Sequence, residues 1–353
     1  MQRWTRVLGA STSLTFSGSS RPPTNSVRLP RGHGRTTRAR ASIRSFAAHC
    51  AISGYAMATY SELREHVLNA LWSQWHELGV AATVPRRHSD DVIDPEPLIA
   101  FTATHGDLDP RLRDESIDWV LRYATYVSKA RLKNVLRDWG LIDDPLYREY
   151  AATLNAHGGV GWPAGRAKPL PFHSRHRSLL ENLARPALLS LRIRAVCGVG
   201  ARAELLRAFL TQRHQEMTAA ELSLETSYRK RNVLTELGPL RFSGLVKSSR
   251  VVNADRYSLS KSDELSAVVG PLPKRATRWT ATFGVLHLIL DVTRSGTKRS
   301  DLQNALEAVR LLNERRALFA AAGIEIPSLP PDTSAWPAFL MWSVGQAKSI
   351  AGS

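Results

Sequence analysis

Cysteine is nearly missing from this chain: Cys50 and Cys197 are the only two among 353 residues. Two thiols cannot lay down a disulfide framework or close a cysteine zinc site, so a reducing, cytoplasmic setting is expected. Long hydrophobic runs are missing too, and with them any segment able to span a bilayer, so no membrane partner is expected. Residues 1–56 contain no acid and no lysine, but nine arginines. Motifs that carry chemistry are equally scarce. There is no nucleophile elbow and no zinc-protease helix. Gly158-Gly159-Val160-Gly161 runs into Trp162-Pro163 instead of opening a helix after a strand, which excludes a phosphate loop. Asp107 and Asp109 have the spacing of a metal-binding pair, but Asp109 precedes Pro110 and reads as a helix cap. Asp90, Asp91 and Asp94 lack the glycine pattern of a calcium loop. His173 and His176 stand among arginines with no further ligand. No catalytic residue, metal or cofactor is therefore expected, and the chain does not read as an enzyme.

What is present is basic and mostly helical in pattern. Lys+Arg number 48 against 31 Asp+Glu, a formal charge of +17. Such a surplus favours an anionic partner and says nothing about fold. The apolar fraction of 43% and the length suit two or three globular parts. Residues 1–56 are rich in Arg, Ser, Gly and Pro and are expected to be a disordered basic segment. They fit a targeting segment, a basic arm that holds phosphate loosely, or residues upstream of a true start at Met57. From Ser61 a helical stripe runs through Leu63, Val67, Leu71, Trp75 and Leu78. Asp109-Pro110 and Asp144-Pro145 each place a cap before proline at the first helical position, and Ser128 is suited to cap another helix. Residues 57–157 thus read as an all-helical domain. The Gly/Pro-dense stretch 158–177 reads as a basic linker. Ser178 to Ala195 is expected to be helical, interrupted near Pro186, and Ala201 to His214 to be a firmer helix.

The segment from Met217 to Ser260 has the most local structure. Thr218-Ala-Ala-Glu221 is a capping box. A following helix turns Val233, Leu234 and Leu237 inward, with Gly238-Pro239 as its stop. Leu245 to Val252 and Arg256 to Ser260 are strand-like, joined through Asn253-Ala254-Asp255. Thr218-Ala-Ala-Glu-Leu222, Val233-Leu234, Leu237, Gly244-Leu245-Val246 and Tyr257-Ser-Leu259 together resemble the winged helix-turn-helix. The likeness is to bacterial repressors of the multiple-antibiotic-resistance and arsenic-sensing types, over residues 201–260. One departure is Gly238 to Ser243, interposed before the expected wing. The resemblance implies that the third helix enters a major groove while the wing touches phosphate. It also implies double-stranded DNA as partner. With Val233, Leu234 and Leu237 inward, helical spacing turns Tyr228, Arg231, Asn232 and Thr235 outward, beside Arg229 and Lys230. Arg and Asn can grip guanine and adenine respectively. Lys247, Arg250 and Arg256 suit phosphate.

Beyond Pro271 the chain turns helical again, with Ser300-Asp-Leu-Gln303 as a second capping box. Leu302, Ala305, Val309, Leu312 and Phe319 then recur at three- and four-residue steps, which fits either a homodimer seam through 300–319 or core packing. The tail from Ile326 is Pro-rich, with Trp336, Phe339 and Trp342 docked on the body. The expected fold is mainly α. A helical N-terminal domain (57–157) and linker (158–177) lead to a winged helix with leading helices (178–270) and a helical C-terminal extension (271–353). The expected role is DNA-binding transcriptional regulation, as in the regulatory half of a paired system. The alternative is a protein–protein adaptor that uses the same surfaces for docking and binds no nucleic acid.

Overall fold

The computed structural model describes residues 36–180, 182–212 and 215–352, with side chains from Met57 onward. Met1 to Arg35, most of the basic segment, therefore lie outside the described residues. Helix α1 spans Thr36–Glu77, so the helical pattern begins well before Ser61. That stretch is rich in Ala and free of proline, which favours helix without help from an apolar stripe.

The cap-proline pairs do what their chemistry dictates. Asp109 accepts from the backbone amides of Arg111 and Leu112 and opens α3 (Pro110–Tyr123). Ser128 caps α4 (Lys129–Asp138), and Asp144 caps α5 (Pro145–Gly158). Before them comes α2 (Pro95–Thr104), whose ten residues are all buried. A helix covered all round must lie inside a bundle. Accordingly α2 packs against α3, α4, α5 and α11 (Trp279–Gly296).

Two hydrophobic cores lie within the unit Ala51–Ser353. The larger joins α1 to α5 with the C-terminal helices: Trp75, Phe101 and Trp119 share it with Trp279, Phe283, Trp336 and Phe339. These C-terminal residues come from α11 and from α14 (Ala335–Gly352). Residues 271–353, expected as an extension of the wing, thus supply the first helical region with part of its core. The 158–177 stretch, expected as a linker, carries Trp162 and Phe172 into the same core. Residues 182–185 before Pro186 are not helical; a 3-10 turn leads into α6 (Leu189–Cys197).

The smaller core holds Leu205, Phe209, Leu222, Val233, Leu237 and Tyr257. It is built from α7 (Ala201–Thr211), α8 (Ala219–Thr226), α9 (Lys230–Phe242) and three short strands. Strands β1 (Met217–Thr218), β2 (Val246–Val251) and β3 (Ala254–Leu259) form an antiparallel sheet in the order β1-β3-β2. The Thr218/Glu221 capping box is formed on both sides. Two local expectations are corrected. Gly238-Pro239 does not stop α9, which continues to Phe242. Proline restricts the residue before it chiefly through that residue's Cβ, and Gly238 has none; burial of Leu240 then anchors the last turn. The hairpin turn is Val252-Asn253, not 253–255, because Val251 pairs with Ala254 and Arg250 with Asp255. Two-residue turns match the twist of the flanking strands; here the cost is Val252 at φ 55°, in the left-handed region. Helix α10 (Ser262–Val269) follows, and α12 (Asp301–Glu314) opens on the Ser300/Gln303 capping box before α13 (Arg316–Ala321).

Candidate nucleic-acid interface and an adjoining cleft

The short turn from α8 to α9 sets where α9 points. Ser227 takes a left-handed φ of 56° there, reversing the chain within three residues. The turn is tied to α4 by three contacts. Arg131 Nε donates to the Thr226 carbonyl at 2.7 Å, and Asn134 Nδ2 donates to the Ser227 carbonyl at 3.0 Å. The Tyr228 and Ser128 hydroxyls lie 2.7 Å apart. Burial raises the Tyr228 phenol above its ordinary range despite the Ser128 hydrogen bond. The phenol therefore stays a neutral donor or acceptor.

Behind the turn lies a buried ion network. Glu96 on α2 accepts from the Ser128 amide at 2.6 Å, from Arg131 at 2.7 Å, and from both Nη atoms of Arg194 at 2.8 and 2.7 Å. Arg131 also pairs with Asp94. Glu204 on α7 binds Arg194 at 2.6 Å and Arg207 at 2.9 Å, and Arg207 continues to Glu225 on α8. Burial opposes charge on Glu204, but Arg194, Arg131 and Arg207 outweigh it and hold the carboxyl far below the usual range. Burial likewise opposes charge on Arg194, and Glu96 and Glu204 overcome it. The network joins α2 and α4 to α6, α7 and α8, so it fixes the smaller core against the larger one.

The outward face of α9 is open. Arg229, the N-cap, and Lys230, Arg231, Asn232 and Thr235 are all exposed. Thr235 Oγ1 donates to the Arg231 carbonyl, back along the helix. No acid lies within ion-pair distance of Arg229, Lys230 or Arg231 among the described residues. Lys247 and Arg250 are exposed on β2; Arg250 stands in register with Asp255. Arg256 is only half-exposed, and its Nη1 donates to the Glu216 carbonyl at 2.9 Å. It braces the start of β1 and is less free for phosphate than the other two. Tyr228 is corrected outright: it is 5% exposed and turned to α4, so it cannot reach a base. Leu234, expected inward, is 44% exposed, because Val233, Leu237 and Leu240 make the buried stripe instead. Phe242 at the helix end is 97% exposed.

A cleft of about 640 Å³ opens on the other side of the α8–α9 turn. Tyr228 and Glu225 form one wall, Trp139 at the end of α4 and Gly284 on α11 another, and Leu318 and Ala321 on α13 a third. A side chain at Gly284 would strike the Trp139 ring at 2.9 Å, so glycine is what lets the indole come close enough to α11 for its Nε1 to donate to the Thr280 carbonyl at 3.1 Å. Neither the cleft nor the ion network was anticipated from the sequence. Charged residues set inside apolar stripes were the available signal: Glu96 in Pro95–Thr104, Arg194 in Leu189–Cys197, and Glu204 with Arg207 in Ala201–Thr211.

The acids weighed as metal ligands are otherwise engaged. Asp109 caps α3 and also accepts from Trp72, Asp91 accepts from Thr277, and Asp107 pairs with Arg294. No group of three or more metal-ligating side chains, and no helix long and apolar enough to cross a membrane, occurs among the described residues. No family model, curated protein or solved structure matches the chain.

Proposed function

We propose that the chain is a DNA-binding transcriptional regulator of the winged-helix type. The observation that carries this reading is the basic N-terminal half of α9. Arg229, Lys230, Arg231 and Asn232 are exposed side by side at the start of a helix, and the hairpin that follows that helix, in a sheet of order β1-β3-β2, exposes Lys247 and Arg250. A helix of this width fits a major groove, where Arg231 and Asn232 would meet base edges. The hairpin would lie over the backbone, with Lys247 and Arg250 on phosphate. The helix start adds its own partial positive charge to the same place. The contacts from Arg131, Asn134 and Ser128 would hold the reading helix at a fixed angle to the body, so that little ordering is left for the moment of binding. Gel-shift titration of the full chain against a random duplex at several salt concentrations tests the proposal. Binding that falls steeply and linearly with the logarithm of salt supports it. Absence of binding at low salt refutes it.

One observation favours a second reading. Phe242 and Leu234 leave two large apolar side chains in solvent on the same helix. An adaptor that docks α9 on a protein partner would use them as anchors. The same titration separates the two, since an adaptor gives no duplex binding beyond that of any basic protein.

A further inference from the structure

The cleft beside the α8–α9 turn has the make-up of a small-molecule site. Its volume of about 640 Å³ falls within the span of ligand pockets, roughly 300–1,000 Å³. Much of its wall is apolar: Trp139, Ala281, Leu288 and Leu318 line it, with Tyr228 toward the turn. Its mouth is basic. Arg137, Arg229, Arg278 and Arg315 line it against one exposed acid, Asp138. Arg137 is held by Asp138 at 3.3 Å and Arg278 by Glu225 at 2.9 Å, whereas Arg229 and Arg315 have no acidic partner among the described residues. Glu225 is the buried acid of the cleft; its charge is met by Arg207 and, at Oε2, by Arg278 Nε, which leaves the Nη donors of Arg278 without an acidic partner among the described residues.

We propose that this cleft binds a small organic anion: a flat apolar body carrying one carboxylate or similar acidic group. The body would lie against the Trp139 indole and Leu318, and the acidic group would meet Arg315 and Arg278 at the mouth. Guanidinium groups suit this task because their fork matches a carboxylate. A cation is disfavoured by the same rim, and a neutral analogue would leave the arginines without gain. The cleft shares only Arg229 with the basic face of α9, and the acidic group is placed on Arg315 and Arg278, so the proposal does not depend on DNA binding.

Titration calorimetry on the full chain tests it, with 2-naphthoate as probe beside 2-naphthalenemethanol and 2-naphthylmethylammonium. The expected result is saturable binding of naphthoate, tighter than either analogue by about tenfold or more. Arg315→Gln, at an exposed position, should remove most of that preference without changing the melting temperature. Ala321→Phe, which fills the cleft from its wall, should abolish binding while the circular dichroism spectrum stays as in the parent. Equal affinity for the three probes overturns the proposal, as does binding that survives Ala321→Phe or no saturable binding at all.

Discussion

The hydroxyls of Ser128 and Tyr228 lie 2.7 Å apart although 100 positions separate them in the chain. Ser128 is at once the cap of α4, accepting from the Arg131 amide, and an anchor for Tyr228, which precedes the Arg229 N-cap of α9. A single hydroxyl therefore couples the start of α4, in the larger core, to the start of the exposed helix α9, in the smaller one. Tyr228→Phe should cost about 1 kcal/mol in urea denaturation, the usual worth of one buried hydrogen bond. An unchanged midpoint would mean that this contact does not form in solution.

The ion network makes a larger prediction. Arg194 is paired with both Glu96 and Glu204, and none of the three reaches solvent. Arg194→Met leaves two buried carboxylates short of a cation and should destabilise the chain by about 3–5 kcal/mol. A loss well under about 1 kcal/mol, the figure for an exposed pair, would show that water reaches the network.

Much of the local structure could be read from the sequence, and the reason is range. Asp109-Pro110, Thr218 with Glu221, and Ser300 with Gln303 are caps whose partners lie within three residues, and all three are formed. Tyr228 and Leu234 were misplaced because helical spacing around α9 cannot say which side faces the body. Tyr228 is drawn inward by Ser128, a residue of another helix. The ion network was invisible for the same reason: Arg131 and Arg194 meet Glu96 from 35 and 98 positions away. Of the residues proposed for DNA, Arg229 to Asn232, Thr235, Lys247 and Arg250 are open to a partner, Tyr228 is not, and Arg256 is partly taken.

Acid should weaken the fold through His105. Burial first, and then His287 and Arg294, push its pKa well below the ordinary imidazole value. Its Nε2 lies 3.1 Å from His287 Nδ1, and burial lowers His287 as well. Well above the free imidazole value of about 6.5 neither folded nor unfolded chain protonates these rings, and they add no pH dependence. Below it the unfolded chain takes up protons that the folded one refuses, so stability falls as pH falls. His105→Gln should make the loss of stability between about pH 7 and pH 5 shallower. Some loss should remain, because burial lowers His88 too. Parallel curves for parent and variant, from denaturation at each pH, would contradict this.

Helix α12 offers two faces. Ala305, Ala308 and Leu312 are buried, while Leu302, Leu306 and Val309 are exposed in a row at helical spacing. Of the stripe expected as a homodimer seam, Ala305, Leu312 and Phe319 belong to the larger core; Leu302 and Val309 stay exposed, with Leu306 between them, and we propose these as the homodimer contact. Leu302→Glu with Val309→Glu spares the buried face and should convert dimers to monomers in analytical ultracentrifugation. A parent chain that sediments as a monomer at the highest concentration tested ends the proposal.

The most direct test of the regulator reading compares two pairs of variants on two kinds of duplex. Arg231→Ala and Asn232→Ala remove groups placed to read bases. Each should weaken binding to a selected site by about 1–3 kcal/mol and leave random duplex nearly untouched. Lys247→Ala and Arg250→Ala remove groups placed on phosphate. Each should weaken both duplexes alike and lower the slope of log affinity against log salt by about one. If all four variants behave alike on both duplexes, or the parent shows no preference for any selected site, α9 does not read DNA.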